Sequence, residues 1–337
     1  MAPHILQDRV VVVTGASGGV GRAVVRELGA KGAKVALVAR GAVGLGAAAV
    51  DVGAAGGIGQ VYEADVADYE QVRKAAERIE AELGPIDVWI NAAFSSVSAR
   101  FTDISPEEYE RTTAVTYLGY VWGTRVALDL MRPRNRGTIV QTGSALAHRS
   151  VPLRSAYCGA EHAIRGFTES LRTELLAERS GIRVTTVQLP AMNAPRLGWT
   201  PSEPGGRPRP KPPVHQPEVA ARGIVHAAAH PERKEYWVGA GTTAVLLAQR
   251  VAPALVDHYL ARTAGRAQQS EEQPAGDAAN LWEPVEEVPG HGDDSGHRHP
   301  HARSLQLWLS QHRRAVLLTL AAGGAVAAAA VTRKSSP

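Results

Sequence analysis

Short apolar runs alternate with segments of helical period along the first 240 residues. The first run, Val10 to Thr14 (VVVVT), reads as a strand buried on both faces. After a turn through Gly15, Ala16, Ser17 and Gly18, apolar residues return at Val20, Ala23, Val24 and Leu28, the spacing of one helix face. Further strands are expected at Lys34 to Arg40, Val61 to Val66, Ile86 to Ile90, Gly137 to Thr142, Arg183 to Leu189 and Glu235 to Val238. Helical patterns lie between them: weakly over residues 41–57, clearly over 69–83, from Pro106, from Thr112 to Met131, from Tyr157 to Ala177 and from Pro217 to His230. A further helix is expected over Ala244 to Ala264. Strand–helix alternation of this kind implies right-handed crossovers and a Rossmann-type doubly wound parallel α/β sheet.

In such a sheet ligands sit beyond the carboxyl ends of the strands. Glycines at 15, 19 and 21 lie between the first strand and its helix, where they permit a tight turn and close approach of a pyrophosphate. Alone the pattern is weak and fits an ordinary turn; between a strand and a helix it favours a nucleotide site. The second strand ends in Ala39-Arg40, with no acid to bind ribose hydroxyls and one cation to meet a 2′-phosphate. That favours NADP(H) over NAD(H), the alternative being an arginine that opens an exposed loop. Asp65 suits either an adenine amino group or a helix cap. Asn91 and Ser144 stand at or just past strand ends.

The totals narrow the class. The chain has 337 residues, 44% hydrophobic and 21% charged, which suits a packed core. A net charge of +4 calls for no nucleic acid, and a single cysteine, Cys158, excludes an internal disulfide. The amino-terminal segment lacks the apolar stretch of a secretory signal, so a cytoplasmic body is expected.

With Tyr157 and Ser144 beside the glycine turn, residues 7–240 resemble the short-chain dehydrogenase/reductase family of classical type. The likeness rests on Thr14-Gly15, Gly19, Gly21, Asp65, Asn91, Ser144, Tyr157 and Leu189-Pro190. The resemblance implies about seven strands, with nicotinamide lying across the strand ends, and homodimers or homotetramers. It implies hydride transfer between nicotinamide and a small-molecule carbonyl or secondary alcohol. Ser144 would hold the substrate oxygen and Tyr157 would give or take its proton. Gly15, Ser17, Gly19, Val20, Gly21, Arg40, Asp65, Val66, Asn91, Ala92, Tyr157 and Pro190 would face the cofactor.

One departure outweighs the matches. Where the family places a lysine one helical turn after the tyrosine, this chain has Glu161. A unit charge at ~5 Å in an effective dielectric of about 20 is worth roughly 3 kcal/mol, about two pKa units. An anion there pushes Tyr157 away from phenolate, unless Arg165 pairs with Glu161 and blunts it. Thr116, Ala92, Phe94, Ala191 and Ala194 also depart from the family pattern. The nucleotide half of the site therefore matches better than the chemical half. A nucleotide-binding sensor or scaffold without turnover is the rival expectation.

The chain is expected to divide into a dinucleotide-binding domain over 1–264, a flexible linker over 265–303 and an apolar helix within 304–337. The proline-rich segment Pro190 to Pro217 is a candidate substrate lid. In the linker, His291, His297, His299 and His301 with Asp293 and Asp294 suit a solvated tract better than a metal site. Ala315 to Val331 carries no charge and would span roughly 25 Å as a helix, slightly short of a bilayer core. A membrane anchor and a docked or oligomerising helix are equal expectations for it.

Overall fold

The structure, a computed structural model, describes residues 4–193, 213–267, 280–285 and 300–313. Its centre is a sheet of seven parallel strands: β1 (Val10–Thr14), β2 (Lys34–Ala39), β3 (Ile58–Glu63), β4 (Ile86–Asn91), β5 (Gly137–Ser144), β6 (Ile182–Leu189) and β7 (Glu235–Trp237). Their spatial order is β3-β2-β1-β4-β5-β6-β7. The order reverses between β1 and β4, and a cleft forms at the carboxyl ends of these two strands, as expected at a switch point.

The valines of β1 explain why the sheet is central. Val11 and Val13 join one core, with α1 (Gly19–Gly29), α2 (Ala42–Ala54) and α7 (Pro217–Ala229). Val10 and Val12 join the other, with α3 (Tyr69–Leu83), α5 (Gly119–Met131) and α6 (Ser155–Ala177). A strand whose alternate residues both face helices needs an unbroken apolar run.

Several expectations are corrected. The third strand starts earlier, at Ile58, and ends at Glu63, so Asp65 lies beyond it. Asp65 caps no helix: Asp68 caps α3, accepting from the Glu70 and Gln71 amides at 2.9 and 3.1 Å. The helices expected from Pro106 and from Thr112 are one run: α4 (Pro106–Thr113) passes through a π-helical turn, Ala114–Leu118, into α5. Ser105 and Glu108 close a capping box at its start. The helix expected over Ala244 to Ala264 is two, α8 (Ala240–Val251) and α9 (Pro253–Ala267), because Pro253 has no amide hydrogen to continue the ladder.

The described segment 300–313 folds back. Residues 300–313, expected as linker and separate tail, lie against the domain. His301 joins His215 in a parallel bridge, and His215 in turn bridges Met192. Asn193 N donates to His215 O at 2.9 Å and His215 N to Ala191 O at 3.0 Å, so the two feet of the candidate lid are bonded together. The rest of that lid, residues 194–212, lies outside the described residues, as do His291, His297, His299 and the apolar run 315–331. Among the described residues no helix is long and apolar enough to cross a membrane.

The short helix α10 (Leu305–Gln311) buries Leu307 in the same core as β1. Replacing Leu307 by alanine is expected to lower stability by about 2–3 kcal/mol, the low end for a buried leucine. Urea denaturation monitored by circular dichroism checks this; a change within about 0.5 kcal/mol would mean that α10 is dispensable to the core.

Candidate active site

The cleft begins at the turn after β1. Gly15 has φ +69°, and a side chain there would meet Ala93 Cα at 2.7 Å. At Gly21 an added Cβ would lie 2.1 Å from the Gly15 carbonyl oxygen, so only glycine lets α1 start this close to β1. Thr14 Oγ1 accepts from the amides of Ala92 (3.0 Å) and Ala93 (3.3 Å), which fastens the ends of β1 and β4 on either side of the cleft. The residue preceding α1, Gly18, offers no side-chain cap, and no acid stands in the first turn. The first turn of α1 thus adds no carboxylate of its own to the positive end of the helix dipole, which fits a dinucleotide's pyrophosphate.

Ser17, Arg40, Asp65 and Val66 line the outer part of the cleft. Asn91 does not face it. Its side chain is fully buried, donating to Gln141 Oε1 (2.8 Å) and Thr124 Oγ1 (3.1 Å) and accepting from Trp89 Nε1 (2.8 Å). The neighbouring α5 passes so close that a Cβ on Gly123 would sit 2.4 Å from Asn91 Oδ1. Asn91 holds β4, β5 and α5 in register beneath the cleft, and its successors Ala92 and Ala93 carry the chain over the floor.

Ser144 is the last residue of β5 rather than a residue just past its end, because the strand runs on beyond Thr142. Its hydroxyl accepts from the Leu146 amide at 3.2 Å. Its own amide donates to Glu161 Oε2 at 3.0 Å. Glu161 lies one turn after Tyr157 on α6, is 3% exposed, and accepts a hydrogen bond from the Tyr157 side chain. One carboxyl group therefore gathers both Ser144 and Tyr157. Burial raises the Glu161 pKa from 4.5 to about 7, against the pull of these two hydrogen bonds. Burial, followed by the charge and hydrogen bond of Glu161, pushes the Tyr157 hydroxyl well above its usual 10, and Arg154 opposes this only weakly. Arg165 does not moderate Glu161: it pairs with Glu169 at 3.5 Å, the next residue along its own helix face.

Two features went unforeseen. Phe94 packs on the Tyr157 ring, centroids 5.7 Å apart, and also lines the cleft. Thr116, in the π-helical turn, exchanges hydrogen bonds with the amide and carbonyl of Ser95 at 3.0 and 2.9 Å, fixing the segment that carries Phe94. The signal for both was the loss of the family's usual small and amide residues at these positions.

The family model described as short chain dehydrogenase matches residues 9–201. The protein named uncharacterized oxidoreductase YxnA, from Bacillus subtilis, is 30% identical over 268 residues, 79% of this chain and 75% of its own length. The 3-ketodihydrosphingosine reductase of Mus musculus is 30% identical over 200 residues, 58% of this chain and 60% of the mouse protein. The protein named probable oxidoreductase EphD, from Mycobacterium tuberculosis, is 34% identical over 181 residues, covering 53% of this chain but only 30% of that protein.

Proposed function

The chain belongs to the short-chain dehydrogenase family, and on that premise we propose that it is an NADP(H)-dependent oxidoreductase interconverting a carbonyl compound and a secondary alcohol. The observation that carries the reading is the meeting of Ser144 and Tyr157 on one buried carboxyl group, at the carboxyl end of β5. The mouse relative is named for reducing a 3-keto compound, which supports the same chemical class. Arg40 at the end of β2, with no acid on the strand, supports the 2′-phosphorylated cofactor.

Gly15, Ser17, Gly19, Val20 and Gly21 would hold the pyrophosphate, Arg40, Asp65 and Val66 the adenosine, and Ala92, Tyr157 and Pro190 the nicotinamide half. Bound nicotinamide would supply or take the hydride. Ser144, whose hydroxyl oxygen already accepts from Leu146, gives its hydrogen to the substrate oxygen. In reduction Tyr157 passes its proton to the new alkoxide. Protonated Glu161 then donates to the tyrosine oxygen, restoring the phenol and becoming a carboxylate. In oxidation ionised Glu161 takes the phenolic proton as Tyr157 takes the alcohol's. Glu161, which stands where the family resemblance expects a lysine, is in this reading a proton reservoir.

A second reading, a nucleotide-binding relative without turnover, is favoured by the raised Tyr157 pKa. The experiment is NADPH binding by fluorescence, followed by reduction of a ketone and aldehyde panel. Binding with turnover by the wild type is the expected result. Binding with turnover only in Glu161→Lys would favour the sensor, and absence of nucleotide binding would overturn both.

A further inference from the structure

Within the polar stretch 265–303, Leu281 and Trp282 are the two adjacent large apolar residues, and they lie against the cleft. Leu281 is 1% exposed, packed with Val97, Ala99 and Ile104. The carbonyls on either side of it face Arg40. Arg40 Nη1 donates to Trp282 O (2.7 Å) and Leu281 O (3.3 Å), and Nη2 donates to Asn280 O. Arg111 Nε donates to Leu281 O at 3.0 Å, while its Nη2 meets Asp65 Oδ2 at 2.6 Å. Pro284 lies 3.0 Å from where a Cβ on Gly41 would be. Asn280, Pro284 and Val285 close the outer side of the same cleft that Gly15, Arg40 and Val66 line.

The cleft so closed has a volume of about 80 Å³, against roughly 300–1,000 Å³ for sites that take small molecules. Its one cation at the end of β2 is engaged by three neutral carbonyl oxygens. A phosphate dianion makes charge-assisted, forked hydrogen bonds to arginine, about twice as strong as those to neutral acceptors. Carbonyls of a short segment can therefore occupy the guanidinium and still yield to a phosphate.

We propose that residues 280–285 form an intramolecular strap that competes with a nucleotide's adenosine 2′-phosphate for Arg40. This rests on the dinucleotide reading of the cleft. Binding first requires the strap to leave, so apparent affinity is reduced by the fraction of molecules in which it stays closed. Leu281 is its anchor, and Asn280 to Trp282 supply the mimicking oxygens.

The test titrates 2′,5′-ADP into the full chain by calorimetry, for the wild type, for Leu281→Ser and for the exposed Trp282→Gly. Trp282→Gly keeps the test intact should Leu281→Ser fail to fold. Backbone hydrogen exchange at residues 281–283 is followed in parallel. Strap release is expected to tighten 2′,5′-ADP binding about tenfold or more, and 2′,5′-ADP is expected to accelerate exchange at 281–283 in the wild type. Equal or weaker binding by the released variants overturns the strap, as does binding that leaves exchange at 281–283 unchanged. If 2′,5′-ADP binds no form of the protein, the dinucleotide reading of the cleft falls, and the strap with it.

Discussion

Tyr157→Phe is expected to lower carbonyl reduction by about 10²–10⁴-fold, the range for removing a positioned proton donor, while leaving NADPH affinity within about threefold. The ring survives the substitution and keeps its packing on Phe94, so the cleft wall stays in place. What is lost is the hydrogen bond into Glu161 and the hydroxyl hydrogen that the proposed reaction delivers to the substrate oxygen. Stopped-flow turnover beside equilibrium binding separates the two quantities. Undiminished turnover in the variant would remove Tyr157 from the chemistry and return the proton step to Ser144 or solvent.

Glu161→Gln is expected to change both pH dependence and stability. The carboxyl titrates near 4.5 when free and about 7 in the fold. Between these values the folded chain holds a proton that the unfolded chain has lost. Stability therefore falls as pH rises from about 4.5 to about 7, and remains lower above it by on the order of 3 kcal/mol. Glutamine cannot titrate, yet its carbonyl oxygen can still accept from the Ser144 amide. The variant should gain on the order of 3 kcal/mol over the wild type at pH 8 and almost nothing at pH 4.5. Urea denaturation across that range measures the difference. In turnover, wild-type reduction should decline and oxidation rise as pH passes about 7; both inflections should vanish in Glu161→Gln. A variant that keeps the wild-type inflection would place the titrating group elsewhere.

Much of this architecture was legible because its causes are local. A valine run with helices on both faces, a glycine turn and a capping proline each act within a few residues. So β1, α1, α3, β4 and α7 stand within a residue or two of where their patterns put them. What escaped the pattern depends on distant partners. Asn91 reads as a strand-end ligand residue, but its polar atoms are consumed by Trp89, Thr124 and Gln141 from three elements. Arg165 reads as a neighbour for Glu161, but helix geometry gives it a second acid at i+4, Glu169, nearer the surface. Arg40 reads as a free cation at the cofactor site, while its contacts come from a segment 240 residues away. Leu281 was the visible clue: a bulky apolar residue inside a polar tract has a reason to be buried, and it is, while its neighbour Trp282 stays exposed.

The bonded feet at Ala191–Asn193 and Val214–Gln216 have a bearing on how this protein could change over time. A chain that departs and returns at one clasped point can be lengthened, shortened or rewritten between the clasp residues without disturbing the sheet, since closing a longer loop adds only about 0.6 kcal/mol per doubling. The clasp also includes His301 as a third rung. The sequence between these residues could thus be exchanged as one unit, with the segment around His301 serving as its latch.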